Sequence, residues 1–409
     1  YVPKELFEEW GAKDPIMNYE AYLIEQGVLS AKQIMEIRQQ QKEEIEREIQ
    51  KGFESAPLQL DTEAELADVY APKSSVEVPL LSTIKQQQST DKRFIDAIKE
   101  GLHQSMQQHP NLVLMGQDIA EYGGAFKITE GFVEEFGKAR VRNTPLCESA
   151  IVGAALGLSL EGFKSVMEMQ FADFVTVGFN QIINNLAKIH YRWGQAADVV
   201  IRMPTGAGVG AGPFHSQSNE AWFVHTPGLK VVYPSTPEDA KGLLIAAIND
   251  PNPVLYFEHK ALYRSVSGAM PESYYEVEIG KARHVRSGDD ISIITYGAGV
   301  HWAEDFAAEH PQISIDILDL RTLLPLDYEA IRAAVKRTGK VLILHEDTLT
   351  GGIGGELGAW IAEHCFEYLD APVLRCASLD TPVPFNIELE KAFLAKSRLH
   401  TTIENLLSY

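Results

Sequence analysis

The chain has 409 residues, more than one hydrophobic core usually organises, so two domains and an appendage are expected. It carries 36 Lys and Arg against 57 Asp and Glu, a net charge of −21. That balance excludes nucleic acid or an anionic membrane as a partner held by bulk electrostatics, and no apolar run approaches the ~18 residues a membrane span needs.

Three cysteines, Cys147, Cys365 and Cys376, are an odd number without metal-ligand spacing. They read as small buried residues of a protein kept in a reducing, intracellular compartment. The chain opens Tyr1-Val2-Pro3, with no initiator Met, basic arm or signal-peptide stretch. It carries no readable address and reads as a piece of a longer polypeptide.

The first 70 residues carry a net charge of −9 and form the expected appendage, a helical tail over 1–72. The pattern from Ser30 to Ser55 predicts one long helix capped by Ser30, with Ile34, Ile37, Ile45 and Ile49 as a narrow apolar stripe for a neighbour. A linker is expected over 73–83, where Pro72 to Pro79 breaks the periodicity.

Beyond it the chain alternates strand and helix. Strands are predicted at Leu112–Met115, Ser165–Met169, Val199–Met203, Lys230–Tyr233 and Val254–Phe257, with helices at Ala150–Leu160, Val175–Tyr191 and Pro237–Asn249. A second series has strands at Ile291–Thr295, Ile313–Leu318, Val341–His345 and Val373–Arg375. The fold class is therefore α/β: two tandem domains, 84–275 and 276–409, each a mostly parallel sheet covered by helices.

In such sheets ligands bind beyond the carboxyl ends of the strands. Glu148 follows Thr144-Pro145-Leu146-Cys147 and opens a helix rich in Ala and Gly that permits close packing. It is either a first-turn carboxylate complementing the helix dipole, or an enclosed carboxyl whose raised pKa lets it hand a proton to a ligand. Gln170 and Phe174 stand at another joint, ordinarily cap and core. The run Gly206 to Gly212 fails the dinucleotide spacing and lacks a following Gly-Lys-Ser/Thr. It reads as backbone that approaches a ligand closely and presents His215 at its end. The run Thr350 to Glu356 reads as a tight strand-to-helix turn with close helix packing, a nucleotide site being the alternative.

Together these stretches resemble one family. Gly116-Gln117-Asp118, Gly123 to Phe126, Thr144 to Glu148, Gln170 to Phe174, His215 to Ser218, Pro227 to Lys230 and Asp319 to Thr322 are similar, in order and spacing, to the beta subunit of the decarboxylase component of 2-oxo acid dehydrogenase complexes. Met169 to Asp173, Phe257 to Lys260, Leu262 to Arg264 and the ending Leu407 to Tyr409 resemble the branched-chain type more than the pyruvate type. Asp14-Pro15-Ile16, Gly27 to Leu29 and Asp68 to Ala71 resemble the tail that ends the alpha chain of such enzymes, so this chain resembles the C-terminal part of a fused alpha–beta polypeptide.

The resemblance implies a pyrimidine-binding domain followed by a transketolase C-terminal-like domain. It implies thiamine diphosphate as cofactor, shared with an alpha portion that holds the diphosphate and magnesium; the Gly-Asp-Gly element for that task is not in this sequence, so the chain alone is expected to be inactive. Glu148 then matches the carboxyl that hydrogen-bonds the aminopyrimidine, while Leu146, Gln170 and Phe174 line that ring, Phe174 standing where branched-chain relatives carry Tyr. His215 matches a histidine that moves protons near the reacting carbon. A structural potassium site would use Ala197, Val199, Val200, Ala247, Asp250 and Asn252. Implied partners are the alpha portion, a second copy of the chain, the lipoyl-bearing transacylase and a 2-oxo acid, with no nucleic acid or membrane. The implied location is cytoplasmic in a bacterium or the mitochondrial matrix in a eukaryote. Rival readings are a pyruvate or acetoin dehydrogenase beta subunit, a transketolase or deoxyxylulose-phosphate synthase type of enzyme, and a non-catalytic scaffold subunit.

Overall fold

Apolar runs that bury both faces build the main sheets. The computed structural model describes residues 2–73, 78–84 and 88–409. Within the expected linker, 74–77 lie outside the described residues, as do 85–87 at the start of the first expected domain.

The chain divides into two units, 1–63 and 64–409. The first is helical: Lys4–Gly11, Pro15–Glu25 and Ala31–Glu54. Asp14 caps the second helix by accepting from Met17 N–H, with Pro15 already set for a first turn. Ser30 and Gln33 form a reciprocal capping box at the third, so the predicted helix start holds. Arg38 makes a two-pronged bond to Glu20, both contacts at 2.7 Å. Of the isoleucine stripe only Ile34 is buried, while Ile37, Ile45 and Ile49 are exposed.

The second unit holds fourteen strands among its described residues: β1 Ser89–Arg93, β2 Leu112–Gly116, β3 Val141–Asn143, β4 Lys164–Glu168, β5 Val199–Thr205, β6 Lys230–Val232, β7 Val254–His259, β8 Ser267–Pro271, β9 Arg283–Arg286, β10 Ile291–Thr295, β11 Ile315–Asp319, β12 Thr322–Leu324, β13 Val341–Thr348 and β14 Leu374–Ser378. A seven-stranded sheet runs in the order β12-β6-β7-β5-β4-β2-β3, and a five-stranded sheet in the order β14-β13-β10-β11-β9. Both are parallel except for one antiparallel edge strand each, β12 and β9. β1 and β8 form a separate antiparallel ribbon.

Alternation along the strands sends side chains into two apolar layers. Val113, Met115, Met167, Ile201 and Met203 share one layer with Ile151, Val152, Val175 and Ile182. Leu112, Leu114, Val166 and Val200 share the other with Ile98, Leu102, Leu243 and Leu244. The first layer continues into Ile294, Leu318 and Ile343 of the second sheet, so the two sheets are joined by a common core.

Two expectations need correction. The helix predicted over Val175–Tyr191 is broken: an α segment Val175–Asn180 widens to a π turn at Gln181–Asn185, tightens to a 3₁₀ turn at Leu186–Lys188 and resumes at Ile189–Trp193. The Ala187 carbonyl in the tight turn lies against Gly228, where a Cβ would stand 1.8 Å from that oxygen. Secondly, Cys365 and Cys376 are buried as expected, but Cys147 is only partly so, because it precedes a helix start at the rim of the sheet.

Candidate functional site

Four strands of the large sheet end side by side, and their loops gather the expected site residues. Glu148 is the first residue of the helix Glu148–Leu160 and is only 8 % exposed. Its position suits a carboxylate, since the unsatisfied N–H groups of a first turn favour negative charge. Gln117, just beyond β2, donates from Nε2 to Glu148 Oε1 at 3.0 Å, while the amide oxygen of Gln117 is buried without a partner. The helix Val175–Asn180 crosses this first turn closely: a Cβ on Gly178 would stand 3.3 Å from Val152 and 3.6 Å from the Glu148 carbonyl. Phe174, which ends the 3₁₀ turn Ala172–Phe174, is the residue that leads into this crossing helix.

Phe174 belongs to an aromatic cluster. The His215 ring meets Phe171 edge-on at 4.8 Å and Phe174 at 5.6 Å, and Phe171 meets Phe126 at 5.6 Å. Edge-to-face contacts of this kind fix ring orientation as well as bury area. The two loops are tied by Asp173, whose Oδ1 accepts from Gln217 N–H at 3.2 Å, and Gln217 is anchored in turn by Thr205 Oγ1 donating to its carbonyl at 2.8 Å. Gln170 is half-buried at the same joint, and Leu146 is 81 % exposed, offering its side chain outward from the rim.

Behind this rim lies a charged interior. Arg202 donates to Glu258 through two nitrogens, at 2.6 and 2.8 Å, and to Glu168 at 2.7 Å, with all three residues buried. Burial pushes the Glu168 carboxyl up, and its Oε1 has no partner. Lys260, 6 % exposed, donates to the Gly206 carbonyl at 2.8 Å; loss of hydration lowers its ammonium to about 8, against the opposing pull of Asp173, Glu346 and Glu390. His259 pairs with Glu346 at 2.7 Å, and Tyr296 donates to Glu220 at 2.7 Å. Burial and the nearby Asp347 raise Glu220 well above the usual carboxylate range.

The six residues of the expected potassium set also assemble, at the opposite end of the sheet, around the start of β5 and the turn after helix Pro237–Asn249. All are buried. Their side chains are already engaged: Asp250 bonds Lys230 at 2.6 Å, and Asn252 pairs with the backbone of Ala71 at 2.7 and 3.0 Å. Among the described residues no group of three or more His, Cys, Asp or Glu side chains is arranged to hold a metal ion.

Gln117, Phe171, Asp173 and Lys260 are site residues not singled out individually from the sequence. Gln117 and Phe171 had a local signal, since each directly follows or neighbours a strand end.

The comparisons agree with this architecture. The transketolase pyrimidine-binding domain family matches residues 91–266, and the transketolase C-terminal domain family matches 280–398. A solved structure titled "Split gene transketolase, inactive beta4 tetramer" shares the fold, with a TM-score of 0.63 at 22 % identity, covering 77 % of this chain and 98 % of that one. The chain is thus a transketolase-type pair of domains. It is 48 % identical over 306 residues to the 2-oxoisovalerate dehydrogenase subunit beta of Bacillus subtilis (strain 168), covering 74 % of this chain and 94 % of that protein. It is 43 % identical to the mitochondrial subunit beta 2 of the same enzyme from Arabidopsis thaliana, covering 76 % and 88 %. The pyruvate dehydrogenase E1 component subunit beta of Bacillus subtilis (strain 168) is 44 % identical, covering 72 % and 91 %. The chain belongs to the family of 2-oxo acid dehydrogenase decarboxylase beta subunits. Among its described residues no helix is long and apolar enough to cross a membrane.

Proposed function

We propose that this chain is the pyrimidine-holding part of a thiamine-diphosphate-dependent decarboxylase that acts on a branched-chain 2-oxo acid and passes the acyl group to a lipoyl-bearing transacylase. The observation that carries the reading is the buried Glu148 carboxyl at a helix start, tied to Gln117 and crossed by the helix Val175–Asn180, which Phe174 immediately precedes. These residues fit the cofactor's aminopyrimidine: Glu148 supplies a carboxyl for a ring nitrogen, Phe174 an aromatic face, and Gln170 and Leu146 the rim. When bound, thiamine diphosphate supplies the electron sink for decarboxylation.

The chain's own residues do the rest. Glu148 holds the cofactor ring and exchanges a proton at its carboxyl, in a place where burial keeps competing water away. The ring of His215, oriented by Phe171 and Phe174, moves protons at the reacting carbon. The diphosphate and magnesium are assigned to an alpha portion, so this chain alone is inactive. A second copy completes the assembly, and potassium, if held, rests on the carbonyls around Ala197 and Ala247.

The test combines this chain with the alpha portion, thiamine diphosphate and an artificial electron acceptor. Glu148→Ala should abolish decarboxylation of branched-chain 2-oxo acids while circular dichroism stays that of the wild type. Full turnover in that variant would leave the chain a scaffold, and equal or better turnover of pyruvate would overturn the substrate preference.

A further inference from the structure

The glycines at 206, 208, 210 and 212 all have positive φ, at 91°, 83°, 69° and 69°, alternating with Ala207, Val209 and Ala211. A backbone of that kind turns successive N–H groups toward one side and makes a concave site for an anion. Here the anion belongs to the chain itself. Glu390, on the helix Ile387–Phe393, accepts from Gly208 N–H at 2.9 Å and from Gly210 N–H at 3.3 and 3.2 Å. Glu346, on β13, accepts from Ala207 N–H at 2.7 Å. Both carboxylates come from the C-terminal half of the chain and are at most 6 % exposed.

We infer that Glu390 is a positioning residue: its carboxylate fills the anion-binding concavity of the loop 206–212 and so fixes the station of His215. Further contacts favour this over incidental packing. Phe385 lies so close to Gly212 that a Cβ there would stand 2.3 Å from its ring. Val383 and Phe393, either side of Glu390's neighbourhood, form a small apolar cluster with Ala207. The loop is therefore gripped at its start by Glu346 and Lys260, at its middle by Glu390 and at its end by Phe385, and His215 follows three residues later. Three of the run's N–H groups, those of Ala207, Gly208 and Gly210, are thus taken by carboxylates of the chain itself. The inference rests on the reading that His215 acts at the reacting carbon.

Amide hydrogen exchange on the chain, followed by turnover of the assembled enzyme, tests it. Glu390→Ala should speed exchange at residues 207–210 by about tenfold or more, the scale of losing charge-assisted bonds, with β5 unchanged. Glu390→Asp, which keeps the charge but withdraws it by one methylene, should move exchange the same way and covers the case in which the alanine variant does not fold. Glu390→Gln, which keeps an accepting oxygen, should restore most of the protection. In the assembled enzyme, Glu390→Ala should lower kcat about tenfold or more and alter its pH profile, as expected for a misplaced proton carrier, with KM for the 2-oxo acid little changed. Unchanged exchange at 207–210, or a loosened loop with unaltered kcat and pH profile, would overturn the assignment. His215→Ala separates the two readings: if it too leaves turnover intact, the role given to His215 fails, while the exchange result still judges the hold of Glu390 on the loop.

Discussion

Gln117 points its side-chain amide at Glu148 across the gap between one strand end and one helix start, and both residues are buried. A carboxyl on a flexible stem needs such a donor to hold one rotamer, because fixing a glutamate side chain otherwise costs on the order of 1.5–2 kcal/mol of lost freedom. Gln117→Leu removes the donor and keeps the volume. Turnover of the assembled enzyme should fall by about tenfold, while the denaturant midpoint changes little, since the unpartnered amide oxygen is removed together with the bond. Steady-state kinetics beside urea unfolding reads both quantities, and an unaltered kcat would show that Glu148 holds its orientation without help.

Arg202 neutralises two carboxylates in the centre of the sheet, and Tyr263 adds a bond to Glu258 at 2.7 Å. Arg202→Met should destabilise the second unit by about 3–5 kcal/mol, the usual result of stranding buried charge. Chemical denaturation measures it. Replacing Arg202 together with both carboxylates, Glu168 and Glu258, by Met and two Leu should recover much of the loss, because the strength of such a cluster lies mainly in avoiding an unpaired ion.

Gly228 adopts a φ of 93° and lies directly against the Ala187 carbonyl. Gly228→Ala should cost about 1–2 kcal/mol for the left-handed backbone, and roughly a further 1–3 kcal/mol for the overlap. The thermal midpoint should drop accordingly, and protease should first cut the segment around 181–193, which loses its support.

Lys260 provides a pH test with a defined sign. Its ammonium, near 10.5 when unfolded, is lowered to about 8 in the fold. Between those values the unfolded chain binds more protons than the native one, so this residue makes stability rise with pH across that window. Below pH 8 the cost of burying its charge is felt in full. The wild type minus Lys260→Met difference in unfolding free energy should therefore increase from pH 8 toward 10.5, by at most about 1.4 kcal/mol per pH unit. A flat difference would mean that the amine is hydrated in the native state.

The central strands were legible because burial on both faces leaves mostly apolar text, as in β2, β5 and β10. β1, β3, β9 and β12 were not. They are edges or ribbons, where Ser-Thr-Asp-Lys-Arg or three residues suffice because only one side pairs. Glu148, Phe174 and His215 stood out because each sits at a joint between elements, where chemistry gathers. Glu390 did not, since 182 residues separate it from Gly208 and nothing local distinguishes it from any other helical glutamate. The ligand-facing role expected of the glycine run was read from its flexibility alone; its contacts with Glu346, Glu390 and Phe385 come from residues far along the chain and left no local signal.

The three residues of β12 have a consequence for anyone who would dissect the molecule. Thr322 and Leu324 pair with Val232 and Val231, so a strand from beyond residue 276 finishes the sheet built by the residues before it. A scissor cut near 275 would strip that border and leave β6 with open hydrogen-bonding groups, an invitation to intermolecular stacking. The two halves match separate modules, yet this chain has stitched them into a single hem.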